Sequence, residues 1–256
     1  MALAASQSVK VPGAPPVVQA ALDRLKEDLV RAAGQNFAGL ILYGGLARGR
    51  FRPGKSDVNV VVLLHDASGP ALAAIAGPLA TARRAAGVDA LVLTPTEVAR
   101  TADAFPTKFL DIKDHHLVLA GVNPFTQLEV TREQIRIRSE QEFRNMLLRL
   151  RRRYITARGD GLILTRALAL VARPLAIELE VLLRLAGKSA PTDDRTAAMF
   201  DAAAAAFGLN REPLAKLAEL RRDGAPDDDV TPLYHGVLEA IARAADVVDK
   251  MKEAPQ

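Results

Sequence analysis

The sequence predicts an α+β chain in which a small sheet-bearing module comes first and an all-α helical bundle follows. Three observations predict it. Apolar runs of strand length occur at 37–43, 58–64 and 88–93, all in the first half of the chain. After about residue 128 such runs disappear. From there long Leu/Ala/Arg segments take over, separated only by short turn sequences. Strands first and helices afterwards segregate into two modules with different architecture.

Each element follows from its own pattern. Residues 1–16 read as a flexible arm: Pro12, Pro15 and Pro16 interrupt them, and no apolar run has the length of a signal-peptide core. Val18, Leu22, Leu25, Leu29 and Val30 recur at helical spacing, which predicts a helix over 17–33 stopped by Gly34. The runs 37–43 and 58–64 are almost continuously apolar, as strands covered on both faces are. A helix over 71–86 is expected to break or kink at Gly77-Pro78. The third strand, 88–93, leads into Thr94-Pro95-Thr96-Glu97, a helix start with Thr94 as N-cap and Glu97 closing a capping box. The boundaries expected are therefore an arm at 1–16, a first domain at 17–128 and a helical domain at 129–256. Within the last, helices are expected at 133–157, 162–186, 194–207, 212–222 and 231–252. No internal repeat is visible.

Composition narrows the chemistry. Of 256 residues, 49% are hydrophobic and 25% charged, the balance of a globular protein with a real core. Cysteine is absent, which excludes disulfides, zinc–thiolate sites and thiol catalysis and suits the cytoplasm, the location expected. No window approaches the ~18 apolar residues of a membrane span. The formal charge of +4 permits contact with phosphates without arguing for nucleic acid.

One constellation carries chemistry. Tyr43-Gly44-Gly45 ends the first strand, Asp57-Val58-Asn59 opens the second, and Asp89 lies near the start of the third. Two glycines at a strand end let the backbone turn sharply and approach a phosphate. Leu46-Ala47-Arg48-Gly49 can begin a short helix whose free N–H groups face that anion. Asp57 and Asn59, one residue apart on a strand, leave the same face, and a carboxylate from a neighbouring strand would close the cluster. Hard cations such as Mg²⁺ prefer these oxygen ligands, and a pair of them would activate an attacking hydroxyl and stabilise leaving pyrophosphate.

The pattern resembles the signature of the polymerase β nucleotidyltransferase superfamily, in which an apolar residue and Gly-Gly or Gly-Ser precede an Asp-apolar-Asp pair by a similar interval. The stretch from Gly44-Gly45-Leu46-Ala47-Arg48-Gly49 to Ser56-Asp57-Val58-Asn59 is most similar to the small bacterial members, the minimal and aminoglycoside nucleotidyltransferases. The resemblance implies a small mixed-sheet nucleotidyltransferase domain followed by a helical domain. It implies transfer of a nucleoside monophosphate from an NTP, with ATP expected, to a hydroxyl of a small-molecule or protein acceptor. Asp57 and Asp89 would be catalytic; Asp57, Asn59 and Asp89 would hold Mg²⁺; Gly44, Gly45, Arg48 and Ser56 would position the nucleotide. It also implies a general base from the helical portion, for which Glu133 and Glu140 are available, although a solvated helix face explains both.

One position departs from the family pattern: Asn59 stands where the second metal-binding Asp is expected. An amide oxygen can ligate a cation but brings no charge, so affinity for a metal pair falls. The alternative is a catalytically degenerate nucleotide-binding or regulatory module. Asp89 has its own bland reading, a strand-edge carboxylate with no ligand.

Other motifs carry less. Residues 49–56 formally match the P-loop G-x-x-x-x-G-K-[ST], but that motif needs a strand before it and a helix beginning at its Lys-Ser end. Here the β-prone run Asp57-Val58-Asn59-Val60-Val61-Val62 follows, so the match is rejected. Arg149, Arg151, Arg152, Arg153 and Arg158 read as a solvated helix face, and the shortage of interleaved aromatics disfavours nucleic acid. His65, His115, His116 and His235 lack metal-site spacing.

Overall fold

A computed structural model of the chain describes residues 8–54, 56–191, 196–224 and 229–253. The chain divides into two compact units, Met1–Val130 and Thr131–Gln256. The first is α/β and the second all-α, the α+β architecture read from the sequence.

The first unit is built on a four-stranded mixed sheet of order β3-β2-β1-β4. Its strands are β1 (Phe37–Tyr43), β2 (Val58–Leu64), β3 (Val88–Leu93) and β4 (His116–Gly121). β1 pairs antiparallel with both β2 and β4, while β2 and β3 run parallel. The parallel pair requires a crossover, supplied by α2 (Gly69–Ala86).

Period-two alternation sorts the strand residues onto two cores. Leu40, Leu42, Val58, Val60 and Val62 pack with Leu22, Leu25 and Leu29 of α1 (Pro16–Ala33) and Ile75 of α2. Ile41, Tyr43, Val61 and Leu63 pack on the opposite face. There they meet Val98 of α3 (Pro95–Ala104) and Phe109 and Ile112 of α4 (Pro106–Asp114), with Phe125 alongside. Every residue of β1 is buried, and in β2 only Asn59 is not. That is why these runs read as continuously apolar.

Several expectations need correction. Part of the predicted arm is packed: Val11 is buried against α1, and Gln19 receives the Val11 N–H and donates to the Val9 carbonyl. Residues 1–7 lie outside the described residues. α2 runs unbroken through Pro78, because the ring costs a helical hydrogen bond without forcing the chain out of the helix. β4 went unrecognised in the sequence, its six residues too short and too mixed to stand out. The capping box on α3 forms as expected, Thr94 Oγ1 accepting from Glu97 N–H and Glu97 Oε2 from Thr94 N–H.

The second unit contains α5 (Arg132–Ala157), α6 (Gly161–Leu185), α7 (Thr196–Phe207), α8 (Arg211–Asp223) and α9 (Thr231–Lys250). Positions 194 and 195 of the third expected helix lie outside the described residues. α5 starts on a capping box between Thr131 and Gln134, and α6 on Asp160, whose carboxylate accepts from the Leu162 and Ile163 amides. The core gathers Phe143, Leu147 and Leu150 with Leu168, Leu175, Phe200, Leu217 and Ile241. Tyr234 is fully buried and stays satisfied by donating to the Leu150 carbonyl at 2.8 Å. Among the described residues no helix is long and apolar enough to cross a membrane.

Candidate active site

The strand register builds the site. Asn59 faces Tyr43 across the β1–β2 ladder and Asp89 across the β2–β3 ladder, and Tyr43 in turn faces His116 of β4. Residues opposed in register share a sheet face. His116, Tyr43, Asn59 and Asp89 therefore form one row across all four strands, at the end of the sheet where β1 leaves. Neighbouring strands lie about 4.8 Å apart, so Asn59 and Asp89 are immediate neighbours. Asp57 comes one residue before β2, and the exposed–buried–half-buried–buried sequence of Asp57, Val58, Asn59 and Val60 carries it to the same face.

Gly44 brings the first strand end onto this row. Its φ is +77°, and a Cβ built there would lie 3.0 Å from Asn59 Nδ2. The backbone after β1 thus lies directly against the Asn59 amide. Residues 44–49 form a single turn rather than the short helix expected. Arg48 N–H bonds to the Gly44 carbonyl, Gly49 N–H to Leu46 and Arg50 N–H to Gly45. With Gly49 at φ +70°, the last two bonds are a Schellman closure, which stops the helix after one turn. Leu46 is buried and pins the turn to the core. The first amides of such a turn, from Gly45 on, have no acceptor within it and remain available to an anion.

Two nucleotide-binding candidates have protein partners. Arg48 is ion-paired with Asp111 of α4, and His115 Nδ1 lies 3.4 Å from the same carboxylate. Ser56 Oγ accepts from the Arg52 N–H at 3.2 Å, and Ser56 N–H returns a bond to the Arg52 carbonyl. Ser56 therefore caps the loop entering β2. That loop leads into a strand, which disposes of the P-loop match; Lys55 is outside the described residues.

α4 is the contributor that sequence reasoning overlooked. Lys108 Nζ sits 5.8 Å above the Tyr43 ring, and Asp111 holds Arg48. Lys113 donates to the Leu128 carbonyl at 2.7 Å. The available signal was spacing: 108, 111 and 115 fall on one helix face. His116 is fully used, with Asn123 Nδ2 2.9 Å from its Nε2 and the Ile112 carbonyl 2.8 Å from its Nδ1, as the neutral Nδ1–H tautomer allows.

Electrostatics mark the row as one environment. The Tyr43 hydroxyl is pushed above its ordinary pKa by burial and then by the Asp89 charge. Asp89 itself meets Arg83 at 3.4 Å, both side chains being mostly exposed. Such a pair is worth at most about 1 kcal/mol, so a cation can displace it. Asp57, Asn59 and Asp89 together offer hard oxygen donors with two negative charges. Among the described residues no group of three or more His, Cys, Asp or Glu is placed to hold a metal ion.

Glu133 and Glu140 are committed elsewhere. Both grip the buried Arg136 guanidinium, Glu133 through bonds of 2.6 and 2.7 Å and Glu140 through one of 3.0 Å. That hydrogen bonding lowers the Glu133 pKa, the opposite of what a general base needs.

The architecture, a mixed sheet with a glycine turn beside a polar strand row and then a helical bundle, is α+β. The chain is similar to the spectinomycin adenyltransferase AAD(9) from Enterococcus faecialis, whose crystal structure contains ATP and spectinomycin. The TM-score is 0.52 at 11% identity, over 90% of this chain and 98% of that one. That neighbour is a nucleotidyltransferase of the aminoglycoside type. No family model and no curated protein sequence matches the chain. At this identity the likeness speaks for the fold.

Proposed function

We propose that the protein transfers a nucleoside monophosphate, AMP from ATP first among them, to a hydroxyl of a small-molecule acceptor. The observation that carries this reading is the contact of Gly44 with Asn59 beside Asp89, on a nucleotidyltransferase fold. It places a backbone turn with available amides next to an acidic strand end, where a triphosphate and its cation would meet. The amides from Gly45 onward receive phosphate oxygens. Arg48, oriented by Asp111, supplies positive charge at the turn, and Ser56, while accepting from Arg52, keeps its hydroxyl proton for a phosphate oxygen. Asp57 and Asp89, helped by the Asn59 amide oxygen, would hold one Mg²⁺, which when bound neutralises triphosphate charge. The Asp89 side chain is mostly exposed, so it is accessible to the cation.

Incubation with labelled ATP and Mg²⁺ plus a panel of hydroxyl-bearing acceptors, spectinomycin included, tests the proposal through pyrophosphate release and labelled product. Turnover by the wild type that is lost in Asp57→Ala supports it. The second reading, a nucleotide-binding module without turnover, is favoured by one observation, the amide at position 59. It expects ATP binding without pyrophosphate release by the wild type, and release gained in Asn59→Asp. Failure of both ATP binding and release would remove both readings.

A further inference from the structure

The helical unit holds a cavity of about 570 Å³ between α5 and α6, a volume within the range of small-molecule sites. Arg149, Arg152 and Arg153 of α5 line one side, and Leu170, Val171 and Pro174 of α6 the other. The three arginines stand at i, i+3 and i+4, so they crowd one helix face and repel one another. Among the described residues, Arg149 reaches Glu142 alone, at 4.0 Å. Among the described residues, Arg152 and Arg153 have no carboxylate partner. A solvated basic face would explain the arginines alone. It does not explain why they look onto an aliphatic wall in which Leu170 is 74% exposed. Pro174 has no N–H, so it also withholds from the Leu170 carbonyl the proton that a helix normally supplies.

We propose that this groove binds a soluble organic phosphate with an aliphatic body. Guanidinium forks match phosphate oxygens bidentately, and an incoming dianion relieves the repulsion among the three arginines. The wall buries an alkyl body, and the Leu170 carbonyl accepts from a hydroxyl or amine on it. Among the described residues no aromatic side chain lines the groove, so a nucleobase has nothing there to stack on, and single-stranded nucleic acid is disfavoured. This site is independent of the nucleotidyl-transfer reading.

Calorimetric titration of the full chain tests it with n-octyl phosphate, kept below its micelle concentration, against inorganic phosphate and 1-octanol. One octyl phosphate per chain is expected, with inorganic phosphate and octanol each weaker by about tenfold or more. Arg152→Ala/Arg153→Ala and, separately, Leu170→Asp should each lose about tenfold while keeping the wild-type melting curve. Binding of inorganic phosphate as tight as octyl phosphate overturns the proposal, as does octyl phosphate binding that survives both variants. Flotation with anionic phospholipid vesicles, or binding of a short RNA, without soluble octyl phosphate binding also overturns it. In those cases the basic face serves a membrane surface or a nucleic acid.

Discussion

Gly44 carries two constraints at once. Its φ of +77° lies in the left-handed region, and any Cβ would press on Asn59 Nδ2 at 3.0 Å. An alanine there costs about 1–2 kcal/mol through the backbone alone. The Asn59 amide must also move, which disturbs the row shared with Asp89. Gly44→Ala should therefore lower the urea midpoint and weaken ATP binding further than the stability loss explains, when binding is measured well below the unfolding transition. A variant with unchanged stability and binding would mean that the contact does not shape the site. Glu178 of α6 shows a different residue-scale tension. Its carboxyl is pushed up to about 7, chiefly by burial and then by Glu142, with Arg138 and Ser139 of α5 pulling the other way. Ser139 is fully buried beside it. A carboxyl whose folded pKa exceeds its unfolded one binds a proton more tightly when folded. Its favourable contribution is complete below about pH 4.5 and is lost as pH rises through about 7. The loss is on the order of 3 kcal/mol. Glu178→Gln keeps the neutral form at every pH, so it should match the wild type at pH 4 and exceed it in denaturant stability at pH 8. Parallel pH profiles for the two proteins would refute this account.

At the scale of elements, α5 ends at Arg158, a non-glycine residue at φ +51° in the left-handed region. Helix ends favour glycine there because it has no Cβ to clash. Arg158→Gly should therefore stabilise the helical unit by about 0.5–1 kcal/mol, the relief of strain exceeding the entropy gained by the unfolded chain. A lower melting temperature would show that the Arg158 side chain contributes more than its backbone costs. α4 offers a second case, since its Asp111 holds Arg48 with both side chains largely covered. A double-mutant cycle with Arg48→Ala and Asp111→Ala should give a coupling of about 1 kcal/mol in stability, while zero coupling would leave Arg48 independently placed. These elements also show what was legible in the sequence. The strands β1 to β3 and the long helices could be read because burial on both faces, or on one helical face, imposes a pattern on many consecutive residues. β4 could not be, because an edge strand of His-Leu-Val-Leu-Ala-Gly is short and only partly buried. Strand parity put Asp57 and Asn59 on one face and suggested Asp89 from the neighbouring strand, but Tyr43 and His116 join that row only through the cross-strand register. The partnership of Arg48 with Asp111 was not legible, since it joins residues 63 positions apart, and no local period records it.

The whole molecule is two units in one chain, the first with a core on each face of its sheet and the second with a core of its own. The helical unit's largest cluster runs from Phe143 to Val248 and draws on all five helices, with no residue from the strands. A core complete within one stretch of chain can fold without the rest, provided its apolar area is large enough. Here the buried set includes Phe143, Phe200, Tyr234 and a run of leucines on α6, each worth about 1.5–3 kcal/mol when taken from water. The Tyr234–Leu150 hydrogen bond also lies within it. A fragment of residues 131–256 should therefore give a helical circular dichroism spectrum and melt cooperatively. Its calorimetric and van't Hoff enthalpies should agree, as expected of one two-state unit. The same fragment should bind octyl phosphate as the full chain does, because the groove is formed by α5 and α6 alone. A helical fragment that melts without cooperativity would show that the bundle borrows its fixed packing from the first unit, and a folded fragment that fails to bind would place part of the groove outside α5 and α6.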